Sequence, residues 1–285
     1  MGKEGGPGVM DSYSCDNKFK IYQPLFKNYT RHFEQRMVLS PTQIRFYHFY
    51  MPSSYTDKTL FNCVPDGCVD IIFIYNDTDY CVEYLGTPKR RKICSPHPGH
   101  RYFGVRLKPG MFLDLGDVSL AEVTDNEIFY TSADLKIDRF IGRLMPLESL
   151  DDKADLFMRE FGDGLTDCYL TEPVKYIISR VNETKGGITV SELASDMCYS
   201  ERQVSRLMRA DTGMSPKTLA RIIRFQNALH NMLKGRSPDI LSCISELSYS
   251  DQSHFNREFK EFTGISPREF MHYYHRRNGR MHIFE

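Results

Sequence analysis

Two stretches of this chain of 285 residues carry the same kinds of polar side chain at helical spacing. The polar positions of the first are Arg202, Ser205, Arg206 and Arg209, and those of the second, 51 residues further on, are Ser253, Asn256, Arg257 and Lys260. Positions i, i+3, i+4 and i+7 share one face of a helix. Arginine can present two donors to guanine, asparagine can pair with adenine, and a cation near a helix end can hold a phosphate. The same chemistry on the same face twice favours contact with nucleic acid over an ordinary solvated face.

The two polar faces belong to an internal repeat. Residues 199–216 match residues 249–267, with one extra residue near the start of the second copy. The apolar residues opposite the polar faces are Val204, Leu207 and Met208 in the first copy and Phe255, Phe259 and Phe262 in the second. Each copy is therefore predicted to form an amphipathic helix with one buried face.

Cap signals in front of the first polar face predict a helix-turn-helix unit. Thr189 and Glu192 form a capping box, in which hydroxyl and carboxylate each satisfy a free N–H at the start of a helix. Ser200 and Gln203 form a second box, so two helices meet across a very short turn at 198–199.

A long helix is predicted between the two units. Ser215 can cap it, Pro216 suits its first turn, and Gly235 follows its predicted last residue, Lys234. At about 1.5 Å per residue, roughly 19 residues span about 28 Å. Two helices held at that separation suit adjacent major-groove segments of one DNA duplex, which lie about 34 Å apart.

Further motifs extend the pattern over residues 174–277. They are Ser191-Glu192-Leu193-Ala194, Ser205-Arg206, Thr212-Gly213-Met214-Ser215-Pro216, Arg224-Phe225-Gln226-Asn227-Ala228, the run from Tyr249 to Lys260, and Thr263-Gly264-Ile265-Ser266-Pro267. Together these motifs resemble the C-terminal domain of AraC-family transcription regulators, two helix-turn-helix units joined by a long helix. The resemblance implies base-facing side chains at Arg202, Gln203, Ser205, Arg206, Gln252, Ser253, Asn256 and Arg257, and Arg209 and Lys260 complete the predicted DNA-binding set.

The chain departs from the family pattern in its turns. Cys198 and Ser248 stand where the family usually has glycine, and Cys243 and Ile244 replace a usual Ile-Ala pair. A residue other than glycine at positive φ costs about 1 kcal/mol, which a packed unit tolerates. We therefore expect the fold to be kept with unusual turn residues.

The first half of the chain has a β pattern. The run from Cys68 to Tyr75 follows the turn Pro65-Asp66-Gly67, a second strand is predicted at 102–107, and apolar residues at helical spacing follow between 137 and 161. The runs 64–73 and 104–110 resemble a poorly characterised domain that precedes such DNA-binding regions in bacterial regulators. That resemblance implies a compact, cupin-like β barrel without a known ligand. Its aromatic residues Phe46, Tyr47, Phe49, Tyr50, Phe73 and Tyr75 are candidates to line a pocket, although such residues more often form the core.

The predicted fold class is α+β with two domains, a β-rich N-terminal domain with helices and an all-α C-terminal double helix-turn-helix domain. The predicted boundaries are a flexible tail at 1–18, a β-rich sensor or assembly domain at 19–136, a helical linker or dimerisation segment at 137–172, the DNA-binding domain at 173–277 and a tail at 278–285.

Charge, hydropathy and cysteine content limit the classes of protein to which this chain can belong. Lys and Arg number 37, as do Asp and Glu, but residues 171–285 carry 17 of the cations and 13 of the acids, so zero net charge is the sum of opposite halves. The longest strongly apolar run, at 71–75, is far shorter than the ~18 residues of a membrane helix, and the N-terminus lacks the apolar stretch of a secretory signal. The eight cysteines show no disulfide framework. These features predict a cytoplasmic protein that does not enter a membrane.

Three constellations in the first half point to other chemistry. Cys94, His97 and His100 offer metal-ligand atoms but lack a second ligand pair. A redox or nucleophilic pair at Cys63 and Cys68 would resemble repair proteins that join a cysteine domain to an AraC-like region, without the close cysteine pairs of that domain. The carboxylates at positions 66 and 70 are the best acid pair for an enzyme, but no histidine or nucleophile converges on them. We predict no catalytic residue, cofactor or metal.

The sequence thus predicts a bacterial transcription regulator rather than an enzyme. The expected partners are double-stranded promoter or operator DNA and a small-molecule effector, and the resemblance adds RNA polymerase and a second copy of the chain. The competing interpretation is a small-molecule-binding or metal-dependent β-barrel enzyme with a vestigial DNA-binding domain. In a third interpretation the N-terminal half serves only to dimerise the protein.

Overall fold

The computed structural model describes residues 23, 31–38, 44–54, 61–94, 97–113, 115, 118–130, 135–165, 170–234 and 244–277. The strands are β1 (Arg31–Val38), β2 (Ile44–Tyr50), β3 (Phe61–Cys63), β4 (Val69–Tyr75), β5 (Tyr80–Leu85), β6 (Lys92–Cys94), β7 (Arg101–Leu107) and β8 (Glu127–Tyr130). The helices are α1 (Leu120–Val123), α2 (Leu135–Leu144), α3 (Leu150–Phe161), α4 (Glu172–Glu183), α5 (Val190–Met197), α6 (Glu201–Thr212), α7 (Pro216–Lys234), α8 (Gln252–Thr263) and α9 (Pro267–Arg277). The predicted tails, Gly235 and Cys243 lie outside the described residues.

Six strands form one antiparallel sheet in the order β1-β2-β7-β4-β5-β8, while β3 and β6 pair separately. The central strand β4 is buried along its whole length, which accounts for its unbroken apolar run. The prediction of a β-rich N-terminal region followed by a helical C-terminal region is confirmed. Among the described strands the sheet ends at β1 and β8, which do not pair with each other, so a closed barrel stays a prediction.

One face of the six-stranded sheet packs against α2 and α3. Phe46, Phe73 and Phe103 from neighbouring strands surround Phe157 of α3, with ring centroids 5.7, 6.2 and 6.4 Å from its ring. The opposite face has its own apolar cluster around Tyr47 and Phe49. The aromatic residues predicted as pocket candidates are therefore mainly core residues, as aromatic residues at strand spacing usually are.

The sheet and the C-terminal helices share one continuous apolar core, to which Phe112 contributes from the first half and Ile178, Met208 and Leu219 from the second. One pocket between the two regions, with Gly67 and Pro109 on one side and Met208 and Leu219 on the other, holds only about 10 Å³, roughly the volume needed for one water molecule. The described parts of the two halves are thus closely packed against each other around this pocket.

Glu83 is a poorly solvated carboxyl on the second face of the sheet. Burial raises the pKa of Glu83 to about 7, and the nearby Glu127 carboxylate acts in the same direction. Lys92 forms an ion pair with Glu127 at 3.2 Å and partly opposes the shift. An acid whose folded pKa exceeds its unfolded value of ~4.3 binds more protons in the folded state, so stability falls as pH rises between the two values.

Replacing Glu83 with glutamine should therefore stabilise the protein in a pH-dependent way. We expect Glu83→Gln to raise the free energy of unfolding by roughly 3 kcal/mol at pH 8, and by less than about 1 kcal/mol at pH 5, where the wild-type carboxyl is already protonated. Urea denaturation at several pH values measures the difference. The exposed Glu201→Gln is the control, and a gain for Glu83→Gln that is constant with pH would contradict the assignment.

Candidate nucleic-acid interface

The first helix-turn-helix unit is built as its cap signals predict. Glu192 N–H donates to Thr189 Oγ1 at 3.1 Å while Thr189 N–H donates to Glu192 Oε2 at 2.8 Å, which starts α5. The turn ends α5 at Cys198 with φ of 55°, the left-handed conformation that favours glycine. Residue 200 then caps α6 in the same reciprocal manner. Both predicted capping boxes are confirmed.

The second unit repeats this geometry with different chemistry. Ser248 has φ of 57° at the position equivalent to Cys198, so both departures from glycine adopt the conformation that glycine would supply. Asp251 caps α8, because its Oδ1 accepts the His254 N–H at 2.7 Å. The expectation of unusual residues in conserved turn geometry is thereby met, at a cost of ~1 kcal/mol for each turn.

The predicted DNA-binding side chains lie on the outer faces of α6 and α8. Those exposed to solvent are Arg202, Gln203, Arg206, Arg209, Gln252, Ser253, Arg257 and Lys260, while Ser205 and Asn256 are half-buried. The opposite faces point into the core, with Val204 and Met208 buried on α6 and Phe255 and Phe259 buried on α8. Each helix is therefore anchored by its apolar face and presents its polar face outward.

The cations on these two faces are free to meet an outside charge. Within the described ranges none of them takes part in an ion pair; they are Arg202, Arg206, Arg209, Arg257 and Lys260. Arg221 and Arg224 of α7, by contrast, are both neutralised by carboxylates of α8. Unpaired guanidinium and ammonium groups on an exposed helix face suit phosphate and base acceptors.

The side chain of Gln203 caps α6 and is also a predicted DNA contact. Its Oε1 accepts both the N–H and the hydroxyl of Ser200, each at 2.8 Å, to complete the capping box of α6. Its amide NH₂ group remains as a donor. Because pairing with adenine uses the amide oxygen as well as the nitrogen, Gln203 can offer DNA only a donor while this cap persists.

The residues that orient α8 were missed by the sequence prediction. Glu258 of α8 is only 2% exposed and accepts Arg221 Nε at 2.7 Å and Arg224 Nη2 at 3.3 Å. Glu261, one turn further on, accepts the Arg221 Nη2 at 2.6 Å. Glu258 occupies the repeat position of Leu207, so a charged residue on an apolar stripe was the available signal for a buried cationic partner.

The sheet region contacts both recognition helices at their C-terminal ends. α6 ends at Gly213 with φ of 67°, where a Cβ would lie 2.7 Å from the carbonyl oxygen of Ala121 in α1. α8 ends at Gly264 with φ of 83°, where a Cβ would lie 2.5 Å from the Arg91 guanidinium. Thr124 Oγ1 also donates to the last carbonyl of α6, at 2.8 Å. The N-terminal half thus touches both helices just beyond their polar faces.

The alternative sites do not assemble. Cys94 Sγ lies 3.5 Å from Cys63 Sγ, whereas the rings of His97 and His100 contact each other, with centroids 5.6 Å apart, and His100 also contacts the side chain of Asn76. Among the described residues no three histidine, cysteine or acidic side chains converge as a metal site. The free thiol of Cys63 thus lies beside that of Cys94, and Cys68 is also a free cysteine.

The predicted acid pair, Asp66 and Asp70, forms ion pairs with Arg106. Arg106 donates to Asp70 through Nε and Nη2, at 2.9 and 2.8 Å, and its Nη1 lies 3.4 Å from Asp66. The Tyr47 hydroxyl also donates to Asp70, at 3.2 Å. The guanidinium forms ion pairs with both carboxylates and so compensates their burial.

Comparison with known families separates the two halves. Residues 193–273 match the model of a helix-turn-helix domain, and residues 41–129 match a domain of unknown function, DUF6597. The chain contains an AraC-type helix-turn-helix domain. The AraC-type domain covers both turns and both recognition helices, so the resemblance seen in the motifs is confirmed.

Two curated proteins align with the AraC-type region. The bifunctional transcriptional activator/DNA repair enzyme Ada of Escherichia coli is 28% identical over 93 residues, 33% of this chain and 26% of that protein. The HTH-type transcriptional regulator ArgR of Pseudomonas aeruginosa is 27% identical over 100 residues, 35% of this chain and 29% of that protein. The chain thus spans less than a third of either relative. Among solved structures, ToxT from Vibrio cholerae has a TM-score of 0.45 and 11% identity, over 81% of this chain and 97% of that one.

Proposed function

We propose that this chain is a sequence-specific, double-stranded-DNA-binding transcription regulator. The observation that carries the proposal is the pair of exposed faces on α6 and α8, whose cations have no ion-pair partner among the described residues and which both follow a helix-turn-helix turn. The AraC-type domain match supports it. The N-terminal region senses an effector, and RNA polymerase and a second copy of the chain are proposed as further partners.

The long helix α7 sets the distance between the two reading faces. Its 19 residues span about 28 Å, close to the ~34 Å between equivalent major-groove segments. α6 and α8 then enter adjacent major grooves on one side of the duplex. Arg209 and Lys260, near the helix C-termini, hold phosphates, while Arg206 and Arg257 in the middle reach base edges.

The proposal also covers the domain boundaries, the location of the protein and the kind of chemistry. The domain boundaries are those expected from the sequence, with a β-rich sensor or assembly domain at 19–136, a helical segment at 137–172 and the DNA-binding domain at 173–277. The site of action is the cytoplasm, and among the described residues no helix has the length and apolar character needed to cross a bilayer. The chemistry is binding rather than catalysis, since the best acid pair is held by Arg106.

Removing either central arginine is expected to weaken specific binding. Arg206→Ala and Arg257→Ala should each cost about 1 to 3 kcal/mol of specific affinity, because each removes one bidentate contact to a base. Fluorescence-anisotropy titration of the promoter fragment of the native gene, at physiological salt, measures the loss. Arg143→Ala, which removes the same charge from α2 on the sheet side, controls for the change in net charge and should bind as wild type does.

A phosphate contact should behave differently in the same titration. Arg209→Ala is expected to weaken binding to promoter DNA and to unrelated DNA alike. It should also reduce the slope of the logarithm of the binding constant against the logarithm of the salt concentration by about one. If Arg206→Ala and Arg257→Ala both bound the promoter fragment as tightly as wild type, the outer faces of α6 and α8 would not be the reading faces and the proposed function would fail.

A further inference from the structure

A run of four cations, Lys89-Arg90-Arg91-Lys92, leads from β5 into β6 and reaches the C-terminal end of α8. Three of the four have acidic partners, which are Asp125 for Lys89 at 4.0 Å, Glu261 for Arg90 at 3.3 Å and Glu127 for Lys92 at 3.2 Å. Arg91 is exposed and forms neither an ion pair nor a hydrogen bond with any described residue. Its charge and its five donors therefore remain free for an anion outside the protein.

The guanidinium of Arg91 lies on the polar face of α8, one turn beyond Lys260. A Cβ on Gly264 would lie 2.5, 2.8 and 2.9 Å from Nη1, Cζ and Nε of Arg91, so the guanidinium fills the space of a side chain at that position. Position 264 comes four residues after Lys260 and seven after Arg257, the spacing that keeps residues on one helix face. Arg91 thus adds a third cation to this face, and the cation comes from the N-terminal half.

The acids at this end of α8 are engaged with other partners. Glu261 lies between two guanidinium groups, those of Arg90 at 3.3 Å and Arg221 at 2.6 Å. Glu269, the next acid along the chain, accepts two hydrogen bonds, at 2.8 and 2.7 Å, from the serine that precedes α9. Neither acid pairs with Arg91, and the charge of Glu261 is offset by two cations. The outer face therefore stays positive at this end.

The first helix-turn-helix unit has no cation at the equivalent place. Beside Gly213 of α6 the space is taken by the carbonyl oxygen of Ala121 and the side chain of Thr124, at 2.7 and 3.1 Å from where a Cβ would stand. A carbonyl oxygen is an acceptor and offers nothing to a phosphate. The additional cation therefore belongs to the second unit alone.

A purely structural role for Arg91 would leave a different geometry. A cation that capped α8 would donate to the last carbonyl groups of the helix. Among the described residues Arg91 makes no such hydrogen bond, although its guanidinium lies against the residue that ends the helix. The contact with Gly264 positions the guanidinium and leaves its N–H groups unused.

We propose that Arg91 binds a backbone phosphate of the DNA next to the phosphate held by Lys260, so that the sheet region forms part of the DNA-binding surface. The inference rests on the proposed function, because it extends the contact of α8 by one turn. A guanidinium suits this role, since two of its N–H groups can donate in parallel to two phosphate oxygens. The contact strengthens binding without reading sequence.

The test measures DNA binding by the full-length protein at several salt concentrations, with the native promoter fragment and an unrelated duplex of equal length. Arg91→Gln should weaken binding to both duplexes roughly fivefold at physiological salt and reduce the slope of log K against log salt by about one. Arg91→Lys keeps the charge and should restore the slope. The control is Arg159→Gln on α3, an exposed arginine that likewise pairs with no described residue and should bind as wild type does.

Ethylation of individual phosphates locates the contact. In the wild type, ethylation of the phosphate beyond that of Lys260 should interfere with binding, and in Arg91→Gln that interference alone should vanish, which a role in stability would not produce. Unchanged affinity and slope for Arg91→Gln, an equal loss for Arg159→Gln, or a slope that Arg91→Lys does not restore would each overturn the inference.

Failure of this inference is distinguishable from failure of the proposed function. If Arg206→Ala and Arg257→Ala lose specific binding while Arg91→Gln binds as wild type does, only the contact by Arg91 is wrong. If Arg206→Ala and Arg257→Ala both keep wild-type binding, the reading faces are wrong and the inference built on them is wrong as well.

Discussion

Arg106→Met is expected to lower the free energy of unfolding by about 3 to 5 kcal/mol, because it removes the cation from a buried cluster and leaves two carboxylates uncompensated. Asp66 and Asp70 are only 3% and 4% exposed, and Arg106 is the cation that contacts both. Methionine keeps much of the arginine's length and volume, so the loss reports the charge rather than a cavity.

The pH dependence of this loss identifies its cause. Burial raises the pKa of Asp70, and the Arg106 cation opposes that shift. Without Arg106 the pKa of Asp70 rises further above the unfolded value of ~3.9, so the ionised form costs more stability as pH rises through that window. Arg106→Met should therefore be most unstable at pH 8 and recover part of the difference at pH 5.

Urea denaturation followed by circular dichroism measures this prediction. Arg36→Met is the matched control, since Arg36 pairs with Asp151 and Asp155 at the surface and an exposed pair contributes only about 0 to 1 kcal/mol. If Arg106→Met and Arg36→Met unfolded at the same urea concentration, the buried cluster would not be a source of stability.

The Arg106 cluster matters for the contact between the two halves. Asp66 Oδ1 accepts the Cys68 N–H at 2.9 Å and so closes the turn 65–68. The carbonyl oxygen of Pro65 in that turn accepts Gln226 Nε2 of α7, at 2.7 Å. The buried ion pairs therefore shape the loop that meets the long helix of the DNA-binding half.

Glu258→Ala is expected to cost a similar 3 to 5 kcal/mol, for the opposite reason. It removes the anion between Arg221 and Arg224, which are 28% and 13% exposed and would keep their charges without a shared partner. The two guanidinium groups also lie over the rings of Phe262 and Tyr249, so they cannot swing into solvent without losing those contacts.

Glu261→Ala is the matched control for Glu258→Ala. It removes a carboxylate from the same helix, and that carboxylate also pairs with Arg221. Its side chain is 32% exposed, so its loss should cost only about 1 kcal/mol. Thermal and urea unfolding compare the two variants. Equal stability of Glu258→Ala and Glu261→Ala would show that burial of the acid is not what gives the network its strength.

Local features of the DNA-binding half were predictable from sequence. The capping boxes, the turn positions and the bounds of α7 depend on residues three to four apart, and the hydrophobic repeat fixes which faces turn inward. The strand β4 was predictable because a β-branched run lies between turn residues.

Partners distant in sequence were not predictable. Asp66 and Asp70 suggest a candidate acid pair until Arg106, 36 residues beyond Asp70, is placed beside them on the neighbouring strand β7. Lys153 Nζ likewise contacts His48 Nδ1 at 3.2 Å, although the two residues are 105 positions apart. Such contacts arise from the order of strands in the sheet and the side on which α3 packs, which local propensity does not encode.

The contacts at Gly213 and Gly264 determine whether the DNA-binding half could work when joined to a different N-terminal domain. The alignments with Ada and ArgR cover only about a third of this chain. In this chain the ends of both recognition helices rest on side chains and backbone of the sheet region. The DNA-binding half therefore cannot be transferred to another sensor domain without loss of these contacts. A new sensor domain would have to supply surfaces that replace Ala121, Thr124 and Arg91 at the ends of α6 and α8.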